Sequence, residues 1–222
     1  MAVAADGEAI LSGRQASADP WTFSGKTTAG TNRIGVLRFF SGGGAPAVAP
    51  TWGGSNMTLI GSVAKGAGAV YAYYIVAPAT ASSDIVVDLT APAIGAYVVT
   101  SYTGAHQSTA PTGFASATGS STTPSVDVTS VTDDLVLDAM DVDNVITSVG
   151  AGQTAEYLDT TGPSDRFGGS YEAGAATVTM SWTVSSAAWC TLGFSLVAAA
   201  GGASADPPRL HRGQAVQRAS YW

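Results

Sequence analysis

The sequence predicts an all-β fold: an antiparallel β-sandwich, jelly-roll-like, that ends in a short irregular tail rich in basic and aromatic residues. Three observations carry this expectation. Short apolar runs alternate with polar residues at a period of two, as at Ile85, Val87 and Leu89, which places one set of side chains on one face of a strand. Clusters of Gly, Pro, Asn and Asp punctuate these runs about every 8 to 12 residues, the spacing of a sandwich. Before residue 200 no segment sustains a helical period. A chain of 222 residues holds one large all-β domain, although its length alone also permits two small ones.

Two or three strands are expected between residues 6 and 40, the clearest at 33–40, bounded by residues 30–32 and the glycine turn at 41–44. Residues 47–52 lead into Gly53 and Gly54, a two-glycine turn whose hairpin partner is expected at 57–63. In the strand at 69–76, Val70, Ala72 and Tyr74 face one way and Tyr71, Tyr73 and Ile75 the other, so both faces should be covered. Strands follow at 84–90 and 96–102. Residues 106–123 are almost wholly Gly, Ser, Thr, Ala and Pro with only Phe114 as an anchor, and are expected to form a surface loop. Further strands are expected at 125–131, 135–142, 153–158, 176–184 and 188–197, giving nine to eleven in two packed sheets. The domain reading is an N-terminal arm with the first strands at 1–30, the sandwich at 31–198, and a hinge with a docking tail at 199–222.

Composition narrows the function classes. Only 11% of residues are charged, against about 25% in an average protein, so the polar surface rests on hydroxyls and backbone, a profile common in secreted and virion proteins. No Lys or Arg lies between Lys65 and Arg166 while acids accumulate there, so the middle of the chain should repel nucleic acid. Cys190, the single cysteine, makes no intrachain disulfide and reads as a small buried thiol. The first ten residues do not read as a secretory signal, and every apolar run is too short to span a membrane. A soluble protein made in the cytoplasm is expected.

Motifs for chemistry are sparse. The two histidines, His106 and His211, fall in a loop and in the tail, and no G-x-S-x-G elbow, phosphate-cradling loop or zinc-ligand spacing occurs. No catalytic residue and no cofactor is expected. Asp138, Asp141 and Asp143 offer oxygen ligands that suit calcium but lack the glycine and terminal glutamate of an EF-hand, so they read first as solvated groups at a strand end. Trp52, Tyr71 and Tyr73 are candidates for stacking on sugar rings, against an ordinary role in core or interface. Arg209, Arg212 and Arg218 with Tyr221 and Trp222 combine forked donors with rigid rings, the chemistry enriched at protein interfaces, and are the candidate docking residues.

Four segments carry a resemblance: Thr51-Trp52-Gly53-Gly54, Met57-Thr58-Leu59-Ile60-Gly61, Val70-Tyr71-Ala72-Tyr73-Tyr74, and Ala176-Thr177-Val178-Thr179-Met180-Ser181-Trp182. With the final strand at 188–196 they make the run from 33 to 197 resemble a β-sandwich domain of structural proteins in tailed bacteriophages and of some bacterial surface proteins. The resemblance implies fold and setting more than activity. It implies a non-enzymatic virion protein, made in the host cytoplasm and homo-oligomeric, that decorates or cements a capsid by docking its terminal segments on capsid or tail subunits. The alternative is a tail- or fibre-associated carbohydrate- or receptor-binding module whose partner is a host glycan. Neither reading expects nucleic acid as a partner or insertion into a membrane.

Overall fold

The computed structural model describes residues 1–162 and 165–200. The expected docking residues Arg209, Arg212, Arg218, Tyr221 and Trp222 lie outside the described residues. Among the described residues the chain is all-β. Its first half runs through β1 (Ala4–Ala5), β2 (Leu11–Ala18), β3 (Trp21–Lys26), β4 (Ile34–Ser41), β5 (Thr51–Trp52), β6 (Ser55–Asn56), β7 (Thr58–Lys65), β8 (Gly68–Val76), β9 (Ser83–Val87) and β10 (Ala93–Thr103). The second half comprises β11 (Thr112–Ser121), β12 (Ser125–Thr129), β13 (Leu135–Val142), β14 (Ile146–Val149), β15 (Thr154–Leu158), β16 (Arg166–Ala173), β17 (Thr177–Val184) and β18 (Ala187–Leu196).

Every strand pairing is antiparallel, and the strands form four sheets. One inner sheet has the order β2-β10-β4-β8-β7, with β1 sharing the β2 edge of β10, and the other has the order β11-β18-β13-β16-β15. Two smaller outer sheets run β3-β9-β5-β6 and β12-β17-β14. If β1 and the two-residue return β6 are set aside, each half contributes eight strands, and the two halves share one order. First, eighth, third, sixth and fifth strands form the inner sheet, and second, seventh and fourth form the outer. The expected sandwich is therefore built twice, and the two copies stack through their inner sheets into four layers.

Period-two alternation explains the layering. On β4, Ile34, Val36 and Phe40 enter the middle core, where they meet Leu135, Leu137 and Phe194 of the second half. The intervening Leu37 and Phe39 enter the first outer core with Trp21, Trp52, Ile85 and Val87. β13 does the same in mirror fashion, sending Leu137 and Ala139 to the middle and Met140 and Val142 outward against Trp182. Strands buried on both faces lose the simple alternation of polar and apolar residues, which is why β4 and β13 read as apolar runs interrupted by Arg38 and by Asp138 and Asp141. The two-sided reading of β8 holds: Val70 and Ala72 lie in the middle core, Tyr73 in the outer one.

Three expectations need correction. The Gly53–Gly54 turn, with both residues at positive φ (56° and 81°), closes a minimal hairpin between β5 and β6, and the following strand belongs to another sheet, where it pairs with β8. Residues 106–123 are not a loop throughout, because β11 forms an edge strand along β18. Its small residues suit that place: a Cβ on Gly119 would stand 2.6 Å from the Trp189 ring. Finally, β16 escapes notice in the sequence through its paired glycines. At Gly168 a Cβ would lie 2.7 Å from the Trp182 ring, and at Gly35 on β4 it would lie 2.6 Å from the Trp52 ring.

These contacts make the glycines steric requirements rather than flexible joints. Replacing Gly35 or Gly168 by Ala should each lower the free energy of unfolding by about 1–3 kcal/mol through overpacking. Urea denaturation followed by tryptophan fluorescence would measure it, and unchanged midpoints would show that the rings shift freely.

Candidate functional site

The residues with the least ordinary surroundings lie in the seam between the two inner sheets. Arg38 occupies a seam-facing position of β4 and has no exposed surface. Its Nη1 donates to the carbonyl oxygens of Asp138 (2.8 Å) and Ser170 (3.1 Å), and its Nη2 donates to Thr100 Oγ1 (3.3 Å) and to the Glu156 carboxylate. The Tyr102 hydroxyl donates to the other oxygen of Glu156 and accepts from Thr100 at 3.0 Å. Burial works against the charge on Arg38, but Glu156 more than offsets it and holds the guanidinium above its ordinary pKa. Burial and the same carboxylate push the Tyr102 phenol well above its ordinary range, so it acts as a fixed donor.

A second ionic cluster sits toward the β7 edge. Lys65 at the end of β7 contacts the carboxylates of Asp141 and Asp143, and its Nζ lies 3.3 Å from Asp165 Oδ1. The three carboxylates bring ligand atoms within 4.8 Å of one another. Burial lowers the pKa of Lys65, yet Asp141 and Asp143 outweigh it and leave the ammonium raised. Arg14 on β2 makes a third link, to Asp159 beyond β15.

In all three links the first half supplies the cation and the second half the anion. Residues 1–105 carry five basic and five acidic side chains, whereas residues 106–200 carry ten acidic ones and only Arg166. The repeated topology gives the links a further regularity. Arg38 reaches from β4 to β15, and Asp141 reaches from β13 to β7, the corresponding pair of strands with the halves exchanged. The signs of charge are exchanged as well.

The sequence-predicted sites are redistributed by this arrangement. Asp138 parts company with Asp141 and Asp143, because adjacent even and odd positions of β13 face opposite layers. Its carboxylate accepts from the Ser170 amide (3.0 Å), the Ser170 hydroxyl (2.6 Å) and Trp182 Nε1 (2.6 Å) in the second outer core. Asp141 and Asp143 do come together, joined by Asp165 and by the ammonium of Lys65; Asp141 is buried, whereas Asp143, just past the end of β13, stays exposed as expected. Trp52 and Tyr73 are core residues, 2% and 6% exposed, so neither offers a ring face to a sugar. Tyr71 is half-buried and stacks on Phe39 with centroids 5.1 Å apart. His106 Nδ1 accepts from the amides of Ser108 and Thr109, closing a local turn.

Sequence reasoning missed Arg38, Glu156, Tyr102, Lys65 and Asp165. One signal was present: a lone arginine amid Ile34, Val36, Leu37, Phe39 and Phe40 implies a buried partner, since an unpaired charge is too costly in a core. Beside the Arg38 network a cavity of about 180 Å³ is bounded by Glu8, Ile10, Ser101, Glu156 and Tyr171, and among the described residues the Ser101 hydroxyl has no partner. Comparison with protein-family models, with curated proteins and with solved structures returned no match.

Removing one member of the central pair leaves the other charge buried and unpaired, so Glu156→Gln should destabilise the chain by about 3–5 kcal/mol in chemical denaturation. Restoring neutrality with Arg38→Met on that background should recover part of the loss, and strict additivity would argue against the pairing. Asp138 provides a pH signature. Burial pushes it up to about 7 from an ordinary 3.8, against the pull of its Ser170 and Trp182 bonds. Between those values the folded chain keeps a proton that the unfolded chain has lost, so this group's contribution to stability falls as pH rises through that window. The stability advantage of the native chain over Asp138→Asn should therefore shrink as pH rises from about 4 to about 7 and level off above it.

Proposed function

We propose that this chain is a non-enzymatic structural protein of a tailed-phage virion, a capsid decoration or cement protein that docks on neighbouring subunits through its terminal segments. The observation that carries the proposal is the meeting of the N-terminal residues with Ala199, near the end of the described residues. The Met1 ammonium donates to the Ala199 carbonyl at 3.5 Å, the Val3 amide donates to Asp133, and the Ala199 amide donates to Gly104. The N-terminus and Ala199, which precedes the basic and aromatic residues in the sequence, thus lie at one pole of the stack. Apolar surface gathers there: Met1 and Val131 are 64% and 61% exposed, and Val131 and Val197 border a shallow cleft of about 350 Å³ with Thr109 and Thr112. An apolar pole beside the N-terminus of a four-layer block suits a protein that bridges subunits of a shell, where symmetry repeats a modest contact many times.

The resemblance in the Trp52, Tyr71 and Trp182 segments supports the same setting, with phage capsid or tail subunits as partners and self-association as the mode of assembly. Among the described residues no helix is long and apolar enough to cross a membrane. The alternative of a carbohydrate- or receptor-binding module at a tail or fibre needs open aromatic faces. The enclosure of Trp52 and Tyr73 removes its best candidates.

Mass spectrometry of purified particles, quantified against the major shell protein, tests the proposal with full-length chain and with chain lacking residues 206–222. The full-length protein should be incorporated at a ratio set by a symmetry axis, and the truncated one should be lost from otherwise intact particles. Equal incorporation of both would clear the tail of a docking role. Absence of the full-length protein would overturn the virion assignment.

A further inference from the structure

Lys65 and Asp141 bring an amine and a carboxyl group together inside the seam, one from each half of the chain. Asp141 has no exposed surface, and among the described residues its Oδ1 receives no hydrogen bond. The Lys65 side chain is only 10% exposed, and its Nζ stands 5.8 Å from the centre of the Phe40 ring. Its approach to Asp141 is fixed at both ends, since β7 is paired to β8 and β13 lies between β16 and β18. A second carboxylate, Asp143, touches the same ammonium and is partly open to solvent. On this geometry we propose that Lys65 and Asp141 condense to an intramolecular isopeptide bond that ties the two halves covalently, with Asp143 as the proton carrier.

The step balances without an oxidant, cofactor or activated co-reactant. A proton passes from the Lys65 ammonium to the Asp141 carboxylate, giving a neutral amine and a carboxylic acid. The Nζ lone pair attacks Cγ of Asp141, the new C–N bond forms, and the carbonyl π pair moves to oxygen. Asp143 takes one proton from the nitrogen and delivers it to the Asp141 hydroxyl. The carbonyl re-forms, the C–O bond breaks, and one water leaves. Beside the cluster a cavity of about 330 Å³, lined by Phe40, Lys65, Gly66, Asp143 and Asp165, gives that water a way out.

Two physical terms favour the amide over the ion pair. Condensation removes two charges from a desolvated site, where each is costly. Fixed placement of the reactants also substitutes for concentration, with effective molarities on the order of 10⁵–10⁸ M in well-oriented intramolecular reactions. The direction of the Asp141 pKa agrees: burial pushes it up to about 7, against the pull of Lys65, so the protonated acid is accessible near neutrality. The acids around Lys65 hold its ammonium charged, so the amine must first give up a proton within the cluster. Cys190, the register partner of Asp141 across β13 and β18, does not compete, because burial raises its thiol to about 12 and keeps it protonated.

Intact-mass spectrometry of the full chain under denaturing conditions tests the proposal directly, both fresh from purification and after prolonged incubation of the folded protein at neutral pH. The expected mass is lighter than that of the sequence by one water, and a chymotryptic digest should contain a branched peptide joining Lys65 to Asp141. Lys65→Arg, which keeps the ion pairs but cannot form the bond, should return the full mass. Asp143→Asn should slow the conversion, and Asp141→Asn should lose one ammonia in place of water. Full mass in the native chain at both times would overturn the proposal, even if every variant failed to fold. Loss of water without the branched peptide, as in succinimide formation, would overturn it equally.

Discussion

A single guanidinium in an apolar seam constrains the rest of the molecule. Arg38 has no path to solvent, so its charge and four of its hydrogen bonds must be met from within. The donors reach β10 in its own sheet and β13, β15 and β16 in the opposite one, so the network forms only when the two halves are in register. Apolar contact between Val36, Phe194 and their neighbours supplies most of the adhesion and is indifferent to small slips. The directional bonds of Arg38 and Glu156 are not, and they select one alignment among many that would bury comparable area.

The same logic explains why the halves, alike in topology, are unlike in charge. Two copies of the first half stacked in this way would set Arg38 of one against Lys65 of the other, cation against cation. Here the cation of the β4 to β15 link is matched by an anion at the start of the β13 to β7 link, so each half is complementary to the other and not to itself. These links use five of the ten carboxylates in residues 106–200, namely Asp141, Asp143, Glu156, Asp159 and Asp165. Shape is divided in the same manner. Tryptophans of the outer sheets lie over glycines of the inner ones, Trp52 on Gly35 and Trp182 on Gly168, so that a bulky ring in one layer needs a bare backbone in the next.

Much of the strand pattern was legible because burial on one face writes itself into alternation. The run through Ile85, Val87 and Leu89 is such a case, and the two-sided β8 is another. The edge strand β11 and the glycine-bearing β16 were not legible, since each was shaped by a ring carried on a distant strand, Trp189 and Trp182 respectively. For the site, Asp141 and Asp143 could be paired from their spacing, but Asp165 and Lys65 come from loops and strands far along the chain. Asp138 has the same spacing from Asp141 as many ligand pairs and still faces another layer, because an odd offset along a strand reverses the side.

By itself the sequence determined that this chain is all-β, that its strands are short and antiparallel, and that most of its interior is built from alternating apolar side chains. Those properties depend on nearest neighbours along the chain, where period and turn chemistry act. Tertiary structure alone decided that there are two sandwiches rather than one, that they stack through their larger sheets, and which charges are buried between them. These depend on contacts between strands more than a hundred residues apart, as Arg38 and Glu156 are, and no local period encodes which distant carboxylate will meet a given cation.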